Sequence, residues 1–257
     1  MSVRKPTSTL ARARDGADAA SSGNGAEEFL AGCMILELAA PEVQAVVRPR
    51  LRAFRVSKGR TIVGAATASD SVFFVEEGEM QALLYSPSGK EVSVRQIGEG
   101  GLFGELAALD GQPRATSVVA LTDARLVEMG RGDFLTCLET SPRAAVWLAR
   151  RLAAEVRRLT ERMFELSALN VSARLHCELL RLAKLAPADL VVEQAPTHAE
   201  LANRIGSHRE AVTREMRFLA DQKILQAQRR RLTILDLPQL EYIVGQAMGE
   251  MFVAKSN

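Results

Sequence analysis

Between Glu99 and Thr116 the chain gathers its densest set of residues suited to ligand chemistry: Glu99-Gly100-Gly101-Leu102-Phe103-Gly104-Glu105-Leu106-Ala107, then Asp110-Gly111-Gln112-Pro113-Arg114-Ala115-Thr116. Glycines let backbone amides approach an anion with no Cβ in the way, and Gly104 stands where a short helix would begin. A helix start offers unpaired amides and a positive dipole end to a phosphate. Glu105 would repel that phosphate, which leaves it to accept a hydrogen bond from a sugar hydroxyl. Arg114 supplies the guanidinium that a phosphate takes. The same residue types also describe a surface turn closed by a Glu105–Arg114 ion pair, and the chemistry alone leaves both readings open.

A second constellation is Gly206-Ser207-His208-Arg209-Glu210-Ala211-Val212-Thr213-Arg214. Arginine near a helix N-terminus can pair bidentately with guanine, and glutamate can accept from a cytosine amino group. Arg214 lies one turn beyond Arg209 and Glu210 on the exposed side, while Val212, Met216 and Leu219 form a stripe to bury. A solvated charged face is the plain alternative. Thr197 and the arginine run Arg229–Arg231 are candidate phosphate contacts, which position without specifying. His176 and His198 lack partners at metal-ligand spacing and read as structural. No nucleophile is paired with a base, so no enzyme and no metal site is expected.

The elements around these residues fall into three textures. From Phe54 to about Val127, short β-rich runs alternate with turns: Ser71–Val75, Met80–Tyr85, Glu91–Ile97, Ala115–Ala120 and Ala124–Glu128. The turn Ser86-Pro87-Ser88-Gly89-Lys90 joins two of them as a hairpin. Many short strands favour a sandwich or small barrel. Ser141-Pro142 then caps a helix expected to reach Leu169. Along it Leu152, Val156, Leu159, Met163 and Leu166 make a narrow heptad seam, read as a dimer coiled coil rather than a face lying on its own domain. The last region is helical with a small β element. A helix over Ala173–Leu185 is stopped by Pro187, and Thr197-His198-Ala199-Glu200 is a capping box. The helix it opens ends at Gly206, and Ser207 is expected to cap the next one through Leu219. Ile224–Gln228 and Leu232–Leu235 then form a hairpin whose tip is the arginine run, the layout of a winged helix.

Composition bounds the answer loosely. At 257 residues, 47% hydrophobic and 25% charged, the chain reads as folded, and its net charge of +2 neither demands nor excludes nucleic acid. No apolar run reaches the roughly 18 residues needed to span a bilayer. Residues 1–25 are rich in Ala, Ser, Gly and Asp, without the apolar stretch of a signal peptide, and read as a disordered tail. Cys33, Cys137 and Cys177 have no paired spacing and read as reduced thiols of a cytoplasmic protein.

Phe103-Gly-Glu-Leu-Ala107, followed by Gly111-x-Pro-Arg-Ala-Thr116, resembles the phosphate-binding cassette of cyclic-nucleotide-binding domains, in the form found in regulatory subunits of cAMP-dependent protein kinase. The likeness extends through Val56-Ser57-Lys58-Gly59 and Val72–Gly78. Arg209-Glu210-x-Val212-x-Arg214 resembles the recognition helix of the cyclic AMP receptor protein / fumarate-nitrate reduction regulator family of bacterial transcription factors. That resemblance implies an α+β chain with four parts. A disordered tail would cover 1–26, and a β-barrel or jelly-roll cyclic-nucleotide-binding domain 27–140. A long dimerisation helix would cover 141–169, and a winged helix-turn-helix 170–257.

Carried over residue by residue, the resemblance implies that Glu105 holds a ribose 2′-hydroxyl and Arg114 the cyclic phosphate. Phe103, Gly104, Leu106, Ala115 and Thr116 would line the pocket. Ala115 favours cAMP over cGMP, since a hydroxyl beside the arginine tends to accompany cGMP. Thr160 falls on the adenine-contacting pair of the dimer helix, with Leu159 out of pattern, and Arg157 or Arg158 is the alternative. Base contacts by Arg209, Glu210 and Arg214 to a TGTGA-like half-site follow, with Thr197, His208, Thr213 and Arg230 beside them. Ala211 and His208 depart from the family pattern. The implied partners are a double-stranded DNA operator, RNA polymerase and a second copy of the chain, with no membrane.

Overall fold

The computed structural model describes residues 33–86, 91–186 and 189–249. The expected tail, the tip of the first hairpin at 87–90 and the helix stop at Pro187 lie outside the described residues. The described chain opens with two short helices, α1 (Met34–Glu37) and α2 (Pro41–Val47), and a 3-10 turn over Arg48–Arg50. Eight strands follow: β1 (Arg52–Val56), β2 (Thr61–Val63), β3 (Val72–Glu77), β4 (Met80–Tyr85), β5 (Glu91–Ile97), β6 (Leu102–Phe103), β7 (Ser117–Ala120) and β8 (Ala124–Met129). Helix α3 (Glu105–Asp110) sits between β6 and β7, and α4 (Arg131–Thr140) follows β8.

The strands form two four-stranded antiparallel sheets, ordered β1-β8-β3-β6 and β2-β7-β4-β5. Sandwiched between them, Val75, Met80, Ile97, Phe103, Val118 and Leu126 make one core. A second core, with Phe74, Val127 and Phe134, lies where β3 and β8 meet the helices on the outer face of the first sheet. This sandwich is the barrel-like domain expected from the strand texture. Burial pushes the Cys33 and Cys137 thiols in that second core up, to about 12 and about 11, so both stay protonated and inert.

Helix α5 runs over Pro142–Ala168, and the Ser141 hydroxyl accepts from the Ala144 amide as its cap. Its first half, through Ala144 and Leu148, packs into the second core. Further along, Val156, Leu159, Met163 and Leu166 are exposed, so most of the seam faces away from its own domain. No helix among the described residues is long and apolar enough to cross a membrane.

The remaining chain builds a third core around Leu179, Leu201, Val212 and Leu240. Its elements are α6 (Val171–Leu185), β9 (Val191–Glu193), α7 (His198–Arg204), α8 (Arg209–Asp221), β10 (Leu225–Gln228), β11 (Arg231–Ile234) and α9 (Leu237–Met248). Strands β10 and β11 pair antiparallel as expected, and β9 adds a third strand that the sequence reading did not place. The capping box is complete: Glu200 N donates to Thr197 Oγ1 at 3.2 Å, and Thr197 N to Glu200 Oε2 at 2.5 Å.

One expectation is corrected here. Ser207 does not cap α8; His208 is the extended residue before it, at φ −112° and ψ 148°. The Ser207 amide instead donates to Ala202 O at 2.9 Å, with Gly206 in the left-handed region at φ +62°. That is the closing turn of α7, so Ser207 belongs to the end of one helix and not to the start of the next.

Candidate functional site: a nucleotide pocket and a DNA-reading helix

The first site is organised by the junction of β6 and α3. Gly104 takes φ +89°, and a Cβ there would lie 2.7 Å from Ser71 O and run into the Arg114 guanidinium. Only glycine lets the arginine close over this turn. Arg114 is 4% exposed. Its Nε donates to Ser69 Oγ at 2.9 Å, its Nη1 to Gly104 O at 2.9 Å and its Nη2 to Ser71 O at 2.6 Å. Three of its five N–H groups are thereby committed to holding the side chain. Burial pulls its pKa down from the usual arginine value, opposed by the charges of Asp70, Glu105 and Glu128. The guanidinium also lies 5.9 Å from the centroid of the Phe73 ring, which stacks on Phe103.

Glu105, the first residue of α3, is 6% exposed. It does not pair directly with Arg114, so the closed-turn alternative is not what forms. Its nearest cation is Arg95 of β5, whose Nη2 lies 3.7 Å from Glu105 Oε1 and donates to Leu102 O at 3.0 Å. Two buried opposite charges thus lie at the Gly104 turn, each held by its own partners. A buried carboxylate and a buried guanidinium are costly unless they are paired or bind something. Phe103 is in the sandwich core, so only its backbone can line the pocket, while Leu106 and Ala115 are exposed and Thr116 is half-buried. Thr160 is exposed on α5 and donates to Val156 O of its own helix at 2.9 Å.

The second site is the N-terminal half of α8. Arg209, Glu210 and Arg214 are exposed together, and Val212, Met216 and Leu219 are buried beneath them. His208 is exposed just before them. Thr213 is turned inward: its hydroxyl donates to Arg209 O at 2.9 Å and lies 2.9 Å from His198 Nδ1. Arg230, at the hairpin tip, donates to Glu200 Oε2 at 3.0 Å, which ties the wing to the start of α7. His176 lies 2.7 Å from Glu215 of α8, so both histidines brace the helix from behind.

With this geometry in hand, comparison with known proteins is specific at both ends. Residues 53–141 match the family described as Cyclic nucleotide-binding domain, and residues 173–243 the Crp-like helix-turn-helix domain. A protein named Cyclic AMP receptor protein, from Thermus thermophilus, is 30% identical over 168 residues, 65% of this chain and 76% of that protein. The chain belongs to the CRP/FNR family of DNA-binding transcription regulators.

Other members of the CRP/FNR family align over most of their length. A CRP-like cAMP-activated global transcriptional regulator from Mycobacterium tuberculosis is 25% identical over 218 residues, 83% of this chain and 97% of that protein. A solved transcriptional regulator of the CRP family from T. thermophilus superposes with a TM-score of 0.62 at 27% identity, covering 76% of this chain and 97% of its own. The CRP/FNR family consists of transcription factors and not enzymes. Its two modules fall on the sandwich and on the three-stranded helical domain, with α5 between them.

The sequence reading missed several residues of this CRP/FNR pocket. Ser69 and Ser71 hold Arg114 from a loop about 45 residues away in sequence, and Asp70 adds its charge. Arg95 of β5 and Arg151 of α5, which line one cavity beside the Gly98–Gly101 turn, carry no motif.

Proposed function

We propose that this CRP/FNR regulator binds a 3′,5′-cyclic nucleotide, cAMP, between Arg114 and Glu105, and that occupancy controls presentation of α8 to a palindromic operator. The carrying observation is that the buried Arg114 and Glu105 meet at the Gly104 turn without pairing with each other, each held by other partners. Arg114 would take the cyclic phosphate and Glu105 the ribose 2′-hydroxyl, with the Gly104, Leu106 and Ala115 backbones around them. Relatives named for cAMP and the alanine at position 115 support cAMP as the ligand.

The exposed seam Val156, Leu159, Met163 and Leu166 supports a homodimer through α5, which would set two α8 helices about 34 Å apart on successive major grooves. Arg209, Glu210 and Arg214 would read base edges, with His208, Thr197 and Arg230 at phosphates. Thr213 would act by fixing the Arg209 turn, since its hydroxyl is engaged inside the protein. RNA polymerase is the proposed partner at the promoter.

The test is a cAMP titration of operator binding by gel shift. Arg114→Ala is expected to abolish the cAMP response while leaving the protein dimeric. An undiminished response in that variant would overturn the assignment.

A further inference from the structure

The last turn of α5 is built into the helix-turn-helix domain. Phe164 and Leu169 pack against that domain's core, and Glu165 is held by Arg181 of α6 at 2.6 and 3.0 Å. Leu166, on the same turn, has a different neighbour. Its Cδ2 lies 3.3 Å from where a Cβ on Gly206 would stand, in the turn between α7 and α8. Gly206 carries no Cβ, which leaves the leucine methyl room to seat there. The turn is fixed to both helices: the Ser207 amide closes on Ala202 O at 2.9 Å, and His208 O accepts from the Ala211 and Val212 amides at 3.1 and 3.3 Å. Ser207 and His208 alone separate Gly206 from Arg209. Leu166 is also the last residue of the exposed seam, with 48% of its surface free. One side chain thus belongs both to the proposed dimer seam and to the turn in front of the DNA-reading helix.

We propose that Leu166 is a positioning residue for DNA recognition: it fixes where α8 stands relative to the dimer axis, and so sets which separation of two half-sites the protein accepts. The inference rests on the dimer reading of α5 given above and adds the contact that carries the seam's position to α8. In a two-fold dimer the paired α5 helices define the axis, and each α8 is offset from it through its contacts with α5. One inserted base pair displaces a half-site by about 3.4 Å and rotates it by roughly 35° about the duplex axis. A leucine in van der Waals contact with the turn resists a shift of that size. Alanine removes Cγ and both Cδ atoms and opens a gap over Gly206. The bonds of Glu165 to α6 remain in that variant, and what it frees is the turn between α7 and α8. Arg204 of α7 also reaches Gln96 of β5 at 3.0 Å, through an exposed bond open to competition from water. Leu166 lies outside the three cores, so its truncation leaves them intact.

The experiment uses the full chain with cAMP. Wild type first selects a palindromic duplex from a randomised pool. Gel shift then compares that duplex with versions carrying one base pair more or fewer between the half-sites. Wild type is expected to bind the selected spacing at least about tenfold tighter than either neighbour, and Leu166→Ala to bring that ratio below about threefold. Leu166→Met, which refills the gap, is expected to keep the wild-type ratio. Val156→Ala, on the same seam about 15 Å back along the helix, is expected to keep it too. All variants are compared at concentrations where sedimentation shows a dimer. Base preference within one half-site is expected to be unchanged in Leu166→Ala, since Arg209, Glu210 and Arg214 are untouched. Leu166→Ala with the full wild-type ratio overturns the proposal. So does equal loss in Val156→Ala, which would put the effect in the seam and not in the turn, and so does a wild type indifferent to spacing. A wild type that selects single half-sites and no palindrome overturns the dimer reading along with it.

Discussion

Replacing Glu165 by glutamine tests whether the junction between α5 and the helix-turn-helix domain is held by charge. Glu165 is 1% exposed near the end of α5. It accepts from Arg181 Nη1 and Nη2 at 2.6 and 3.0 Å, and from Arg162 Nη1 at 2.7 Å. Burial pushes its pKa up, but the bonds and charges of Arg181 and Arg162 outweigh it and hold the carboxyl below the usual 4.5. Breaking one side of a buried pair costs about 3–5 kcal/mol. Here the figure is lower, because the Arg181 side chain is 42% exposed and keeps Glu178 at 3.1 Å. Discounting for that screening and for the acceptor that glutamine retains leaves about 2–3 kcal/mol. For a chain of this size that lowers the melting temperature by about 5–10 °C.

The pH dependence of this prediction carries its own sign. A depressed folded pKa contributes stability that is complete above the unfolded value and lost as pH falls through the folded one. The gap between wild type and Glu165→Gln should therefore be full at pH 7 and close only below about pH 4.5, the unperturbed value. Calorimetric melts of both proteins at pH 7 and at successively lower pH read it directly. A shift below about 2 °C at pH 7 would refute the reasoning. So would a gap of the same size across the acid range.

Two further predictions concern the sites themselves. Gly104→Ala places a Cβ against Ser71 O and the Arg114 guanidinium at a left-handed φ, strain worth about 1–2 kcal/mol before any clash. Loss of cyclic-nucleotide binding together with a lower melting temperature is expected, and unchanged calorimetric affinity would count against the geometry. Arg209→Ala is expected to relax specificity at one base pair of each half-site, costing about 1–3 kcal/mol. Competition among half-site variants measures it, and equal discrimination by the variant and wild type would remove Arg209 from the reading set.

The legible part of the fold was the part that local chemistry dictates. β4 and β5 fall on the expected Met80–Tyr85 and Glu91–Ile97, because alternation and turns mark hairpin strands directly. The Thr197 box and the Ser141 cap are likewise local signals with one geometry each. The Ser207 misassignment shows the limit of such signals. Serine is a good cap, but the Gly206 turn needs the next amide for its own closure, and the cap moved one residue on. Arg95 and Arg151 were invisible for a different reason. They line one cavity from β5 and α5, 56 residues apart in sequence, and no window along the chain contains both.

That packing also bears on how the pocket and the DNA-reading helix are joined. Three consecutive residues of β5 face three different parts of the molecule. Val94 O accepts from Arg158 of α5 at 3.1 Å, Arg95 lies at Glu105, and Gln96 Oε1 accepts from Arg204 of α7 at 3.0 Å. Successive side chains of a strand point to opposite faces, so one strand can address the pocket with one residue and the DNA-binding domain with the next. Arg204 also donates to Glu178 at 3.1 Å, and Glu178 shares Arg181 with Glu165 of α5. One hydrogen bond from Gln96 and the ion pairs beyond it thus form a single chain from β5 to α7, α6 and back to α5. A ligand shifts such an arrangement only by contacts that differ between its states. Arg95 stands at Glu105 between two residues that already touch α5 and α7, so β5 is where a shift at Glu105 would be felt by both other parts.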